Sequence, residues 1–173
     1  QYRSDDNLLK RINLHNYNTA EQSWSDWLLD KLEFSEGMDI LCLGCGNAAN
    51  LVAMAEGLPN NLTILLTDYS EGMLESAKEN VLKKQTVFTE KNITINYQIA
   101  DANVLSVMGT YDRITANHML YHVEKRHDLF QRVKNMLKPN GMFCATTVGD
   151  EHMRELQDLV EQFDSRIEIP SKR

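Results

Sequence analysis

The chain is poor in residues that break or staple a fold. Its 173 residues hold only three prolines, eight glycines and three cysteines. So little proline and glycine excludes a collagen-like repeat or a low-complexity linker protein. Cys42, Cys45 and Cys144 are odd in number and too few for a disulfide scaffold. No basic-then-apolar stretch opens the chain, so these cysteines read as reduced thiols and the expected location is the cytoplasm. No apolar run approaches the roughly 18 residues that span a bilayer, and no membrane partner is expected. Basic charge is also short: 18 Lys and Arg against 25 Asp and Glu leave a net charge of −7. A surface of that sign does not neutralise phosphates, so nucleic acid is not an expected partner. Lys83-Lys84 reads as a solvated helix end. The chain opens on Gln1 rather than Met, and part of the original N-terminus is expected to precede it.

What is present is a globular composition, 42% hydrophobic and 25% charged, in a length that suits one domain. Residues 1–36 read as a helical preface or lid, with Leu8, Leu9 and Ile12 on one face. Trp24, Trp27, Leu28 and Leu32 follow at helical spacing, with the tryptophans expected in packing. Residues 37–173 then alternate strands and helices. The expected strands are 39–43, 62–67, 93–99, 111–116 and 142–148. The expected helices are 47–56, one after Ser70, 124–137 and 150–163. Ser70 is placed as an N-cap, and Met73, Leu74, Ala77 and Val81 as the buried face behind it. Leu129, Phe130, Val133, Met136 and Leu137 mark the core face of the helix 124–137. Met153, Leu156, Val160 and Phe163 mark that of the last helix. Pro139-Asn140-Gly141 reads as a turn. This order predicts an α/β fold, doubly wound, with a mostly parallel sheet and ligands at the carboxyl ends of its strands.

The strongest local signal is Leu43-Gly44-Cys45-Gly46-Asn47-Ala48-Ala49 between a strand and a helix. Glycine there lets the backbone turn tightly and come close to a ligand. Asp68 ends the second strand, where a carboxylate can accept from both hydroxyls of a ribose; the plainer alternative is a helix cap. Asp101-Ala102-Asn103 ends the third strand, where a carboxylate can meet an adenine amino group or simply hold a loop. Cys42 and Cys45 form a CxxC, but the pair straddles a strand end. No second Cys or His pair stands at zinc spacing, so no metal is expected.

In order, the segments ILCLGCGNAANL, LLTDYSEGMLESAKENV, IADANVL, YDRITANHMLYHV and LKPNGMFCATT resemble the class I S-adenosylmethionine-dependent methyltransferases. The likeness is to the small-molecule branch of menaquinone and ubiquinone type. The resemblance implies a Rossmann-like sheet, S-adenosyl-L-methionine as cofactor, S-adenosyl-L-homocysteine as product and a small-molecule methyl acceptor. It places Leu43, Gly44, Cys45 and Gly46 along the methionine part of the cofactor and Asp68 on the ribose. Tyr69 and Met73 would flank the adenine, with Asp101, Ala102 and Asn103 at its edge. Asn117 would lie near the methionine amino group, and Tyr17 would close over the cofactor. The sequence departs from the family where Cys42 replaces an acidic residue and Ala48 a glycine. It also departs after residue 163, where the family sheet carries further strands. Truncation, or a homodimer through the uncovered sheet edge, is the expectation there.

His118, Tyr121 and His122 follow the fourth strand, at the rim where an acceptor belongs. Histidine has the pKa for general-base work. His118 is the preferred base, and His152 is a further candidate. Packing of the loop is the alternative role for all of them. An NAD(P)-dependent oxidoreductase also suits Gly44, Gly46, Ala49 and Asp68. The helical preface and the residues from Asp101 to the histidines have no role in it. A methyltransferase fold that binds without catalysis is the other alternative, resting on Cys42 and Ala48.

Overall fold

The structure, a computed structural model, describes residues 19–149 and 154–164. The first helix, α1, spans Trp24–Leu32. Ser23 caps it, its Oγ accepting from the Asp26 N–H. Leu28 and Leu32 are buried, as the spacing requires. Trp24 and Trp27 instead stack on each other, ring centroids 5.1 Å apart, and stay more than a third exposed. They form a surface pair rather than part of the core.

Next come β1 (Asp39–Leu43), α2 (Ala49–Met54) with a short 3-10 turn (Ala55–Gly57), β2 (Thr63–Asp68) and α3 (Glu71–Leu82). Ser70 caps α3 through the Met73 N–H, and Met73, Leu74 and Ala77 are buried. Val81 is only partly buried. An additional helix, α4 (Gln85–Glu90), was not expected from the sequence. Its Thr and Val content disfavours helix, and burial of Phe88 against the core supports it. The chain continues through β3 (Thr94–Ile99), β4 (Tyr111–Asn117), a 3-10 turn (Leu120–His122) and α5 (Arg126–Met136). It then forms β5 (Leu137–Thr146) and, after undescribed residues, α6 (Arg154–Phe163).

The sheet order is β3-β2-β1-β4-β5, and every pairing is parallel. The chain therefore runs outward from β1 on one side and from β4 on the other. That leaves a switch point, and a crevice, between the carboxyl ends of β1 and β4. Leu41 and Ile114, at the centre of adjacent strands, are both 0% exposed. A strand buried on both faces has no alternation to show, which is why β1 reads as a continuous apolar run. The Pro139-Asn140-Gly141 turn lies inside β5. Asn140 takes a positive φ of 64°, and the register with β4 slips between Tyr111 and Arg113. The chain thus bulges before pairing resumes at Met142.

Two assigned core residues are on the surface. Phe130 is 42% exposed and packs only obliquely on Phe143, 5.9 Å between centroids. Phe163 is 88% exposed. Phe130 lies on the β5 side of the molecule, and β5 is an edge strand of the sheet. The expected start of the last helix at Asp150, with Met153 and His152, lies outside the described residues. So do residues 1–18 of the preface, with Tyr17, and residues 165–173.

Candidate cofactor site

The turn after β1 is made by alternating left-handed residues: Gly44 at φ 61°, Gly46 at 56° and Ala48 at 57°. The two glycines are needed for different reasons. A Cβ on Gly44 would stand 2.9 Å from the Met119 Cβ, so Gly44 lets the loop after β4 pack against the turn. A Cβ on Gly46 would meet nothing within 4 Å, so Gly46 borders the open crevice. Met119 was not anticipated, and no periodicity in the sequence announces it. Ala48 carries the same backbone twist with a side chain, which is uncommon. Its methyl is 3% exposed and belongs to the core beneath α2.

Backbone bonds pin this turn to β2. The Cys45 N–H donates to the Thr67 carbonyl at 2.8 Å, and Thr67 Oγ1 donates to the Cys42 carbonyl at 2.9 Å. The Gly46 N–H donates to Asp68 Oδ2 at 2.9 Å, and the Ser70 N–H to Asp68 Oδ1 at 2.9 Å. The structure thus brings Gly46 and Asp68 together across the ends of β1 and β2. Each Asp68 oxygen accepts one hydrogen bond and retains capacity for another. Ser70 caps the next helix, as expected, and Asp68, for which capping was the alternative role, joins the two loops.

At the end of β3, Asp101 Oδ1 accepts from both the N–H and the side-chain amide of Asn103, at 2.8 and 2.9 Å. Its Oδ2 accepts nothing among the described residues. Asn103 Oδ1 in turn accepts from the Glu124 N–H. Ala102 lies between them, half-buried. Tyr69, next to Asp68 in the chain, is 58% exposed, whereas Met73 is buried. Leu43 is buried below the turn.

At the end of β4, Asn117 Oδ1 accepts from Thr146 Oγ1. His118 adopts φ 51°, and its N–H is held by both the carbonyl and the hydroxyl of Thr146. A strained residue locked by neighbouring backbone is a motive for a functional role. The His118 ring is exposed and lies 5.5 Å from Trp24, a contact across the chain that α1 periodicity does not reveal. The rings of Tyr121 and His122 meet each other at 4.5 Å.

Burial pushes the Cys42 thiol up to about 11, against a smaller pull from its hydrogen bond to Thr115. Burial also lifts Cys45 well above the ordinary thiol range, and the negative charge of Asp68 adds to this. Both stay protonated at neutral pH, which suits neither redox exchange nor thiolate ligation. Among the described residues no group of His, Cys, Asp or Glu is arranged to hold a metal ion.

A family profile described as a methyltransferase domain matches residues 41–143, from within β1 into β5. The chain belongs to the methyltransferase-domain family. A malonyl-[acyl-carrier protein] O-methyltransferase of Ilyobacter polytropus is 23% identical, over 92% of this chain and 62% of that protein. A carboxy-S-adenosyl-L-methionine synthase of Campylobacter concisus is 30% identical, over 76% of this chain and 57% of its own length. The crystal structure of an S-adenosylmethionine-dependent methyltransferase from Mesorhizobium loti is 26% identical with a TM-score of 0.58. That match covers 75% of this chain and 56% of the other. The chain therefore spans between about half and two thirds of the length of these relatives. The fold is the class I α/β methyltransferase fold, as the order of motifs implied. The glycine turn, Asp68, Asp101 and Asn117 all fall inside the matched segment.

Proposed function

We propose that this methyltransferase-domain chain binds S-adenosyl-L-methionine and serves transfer of its methyl group to a small-molecule acceptor. The observation that carries the reading is the Gly46–Asp68 junction. A half-exposed carboxylate with unused acceptor capacity sits against a side-chain-free turn at the carboxyl edge of a parallel sheet. Asp68 suits a ribose diol, and the Oδ2 of Asp101, which accepts nothing among the described residues, suits an amino group such as that of adenine. Tyr69 offers an exposed ring beside them. When bound, S-adenosyl-L-methionine supplies a methyl group on a sulfonium and leaves as S-adenosyl-L-homocysteine. The protein holds the reacting atoms in line and keeps water out. In this reading His118 takes the acceptor's proton, with Trp24 beside its ring and Tyr121 and His122 further along the same loop.

The family match and the named relatives support methyl transfer over the oxidoreductase and the non-catalytic alternatives. A second reading keeps the ligand and changes the group transferred, because the 30% identical Campylobacter relative is named a synthase of carboxy-S-adenosyl-L-methionine. Mass analysis of the nucleoside after incubation with S-adenosyl-L-methionine and a small-molecule cell extract, the source of a methyl acceptor or a carboxyl donor, separates the two. Loss of the methyl group supports the first, and a heavier nucleoside the second.

The finer expectations stand as parts of this proposal: one domain, a cytoplasmic location, no nucleic-acid partner and a homodimer through the open edge of β5. Tyr17 as a lid and His152 at the rim, both outside the described residues, belong to it too. No helix among the described residues is long and apolar enough to cross a membrane. Sedimentation tests the dimer. Thermal unfolding with S-adenosyl-L-homocysteine, S-adenosyl-L-methionine and NAD added separately tests the ligand. A ligand at 100 times its dissociation constant adds about 2.7 kcal/mol, a shift of several degrees. A shift with NAD alone overturns the reading.

A further inference from the structure

The crevice is built from different chemistry at its two ends. The β2–β3 end presents carboxylates, Asp68 and Asp101, each with acceptor capacity left over. Below the glycine turn, a cavity of about 70 Å³ lies beneath β1, between the sheet and α2, with residues of both β2 and β4 in its walls. Its walls include Cys42, Cys45, Leu51, Met54, Thr115 and Asn117, and every lining residue among the described ones is uncharged. The volume admits a tail of a few heavy atoms. In the adenosyl reading, a ligand with its ribose at Asp68 has its 5′ substituent at the glycine turn, and Gly44, Cys45 and Asn117 of that rim also line this cavity.

An ammonium or carboxylate entering such a wall gives up water and meets only hydroxyl, amide and thiol groups. A small apolar substituent gives up nothing there. Cys42 adds to this, since its side chain faces the cavity at the position where the family resemblance implies an acid. Its thiol remains neutral.

We propose that this site draws its affinity for adenosyl ligands from the nucleoside and accepts a short uncharged 5′ tail as readily as an amino-acid one. 5′-Methylthioadenosine is then a ligand of the site and a competitor of S-adenosyl-L-methionine. The inference rests on the adenosyl reading above and goes beyond it by naming the ligand class. Titration calorimetry of the unmodified chain with S-adenosyl-L-homocysteine and with 5′-methylthioadenosine tests it. The expected result is two dissociation constants within tenfold of each other. If S-adenosyl-L-homocysteine binds more than tenfold tighter, the inference falls and the adenosyl reading stands. If neither binds, both fall. Cys42→Asp, checked for folding by its thermal transition, is expected to strengthen S-adenosyl-L-homocysteine about tenfold and leave 5′-methylthioadenosine within threefold. An equal change for both ligands would mean that Cys42 does not face the tail, and would overturn the proposal.

Discussion

At the amino end of the sheet, Asp39 and Asp112 share one cation. Lys138 Nζ lies 2.6 Å from Asp39 Oδ2 and 2.8 Å from Asp112 Oδ2. The Asp39 N–H donates to Asp112 as well. Next to them Arg113 is 9% exposed, and its guanidinium donates to the carbonyls of Leu32, Glu33 and Asp112. It thereby closes the C-terminus of α1 onto β4. At the carboxyl end, Asp68 and Asp101 accept only from amide N–H groups, and no Lys or Arg among the described residues forms an ion pair with either. The same residue type does two jobs. Carboxylates neutralised by neighbouring cations hold strands together. Carboxylates oriented by amides and left with spare lone pairs are prepared for a ligand.

The comparison breaks most visibly at Arg113. Arg113→Met leaves three carbonyls without their donor, and a loss of about 3–4 kcal/mol is expected in urea unfolding. The affinity of the folded fraction for S-adenosyl-L-homocysteine is expected to stay the same. Asp68→Ala should do the reverse. We expect about a hundredfold weaker binding of that ligand, near 2.7 kcal/mol. The stability loss should be only about 1 kcal/mol, because the Gly46 and Ser70 amides can turn to water. An unchanged thermal shift with ligand would remove Asp68 from the site.

The glycines sharpen the contrast within the turn itself. Gly44→Ala combines the left-handed backbone penalty with the Met119 contact, and about 2–3 kcal/mol of lost stability is expected. Gly46→Ala carries the backbone penalty alone, about 1–2 kcal/mol. Its methyl should reduce ligand affinity further, measured on the folded protein by calorimetry.

The smallest effect is expected at Lys138. Lys138→Met should lower stability by about 1 kcal/mol at neutral pH, since all three groups are partly exposed. Its pH dependence tells more. Burial pushes the Asp112 carboxyl up, but hydrogen bonds from Lys138 and the Asp39 N–H bring it below its ordinary value. That contribution is present above the unfolded carboxylate pKa, about 3.9, and is lost as pH falls through the folded value. Hydrogen bonds to Asp112 and Asp39 raise Lys138. Its contribution is complete below about pH 10.4 and is lost as pH rises through the folded value. The variant should flatten both limbs of a stability–pH curve, and unchanged limbs would remove the triad from the account.

The alternation of elements, the Ser70 cap, the glycine turn and the strand-ending acids were legible because each is a local signal. Helix α4 was not, because short-range propensity opposes it and burial of Phe88 decides. Phe130 and Phe163 misled because helical spacing marks an apolar face without saying whether anything lies against it. The Trp24–His118 contact, the Met119–Gly44 packing and the Lys138 bridge join residues far apart in the chain, and no window of sequence contains them.

What the sequence by itself determined is the succession of strand, bend and helix, and the residue types at each bend. Periodicity, capping and the steric freedom of glycine act over a few residues. Only the tertiary structure decided the strand order β3-β2-β1-β4-β5, the hydrogen bond that ties Gly46 to Asp68, and the neutral cavity beneath Cys42. These depend on which distant segments share the sheet, and burial against those segments selects them.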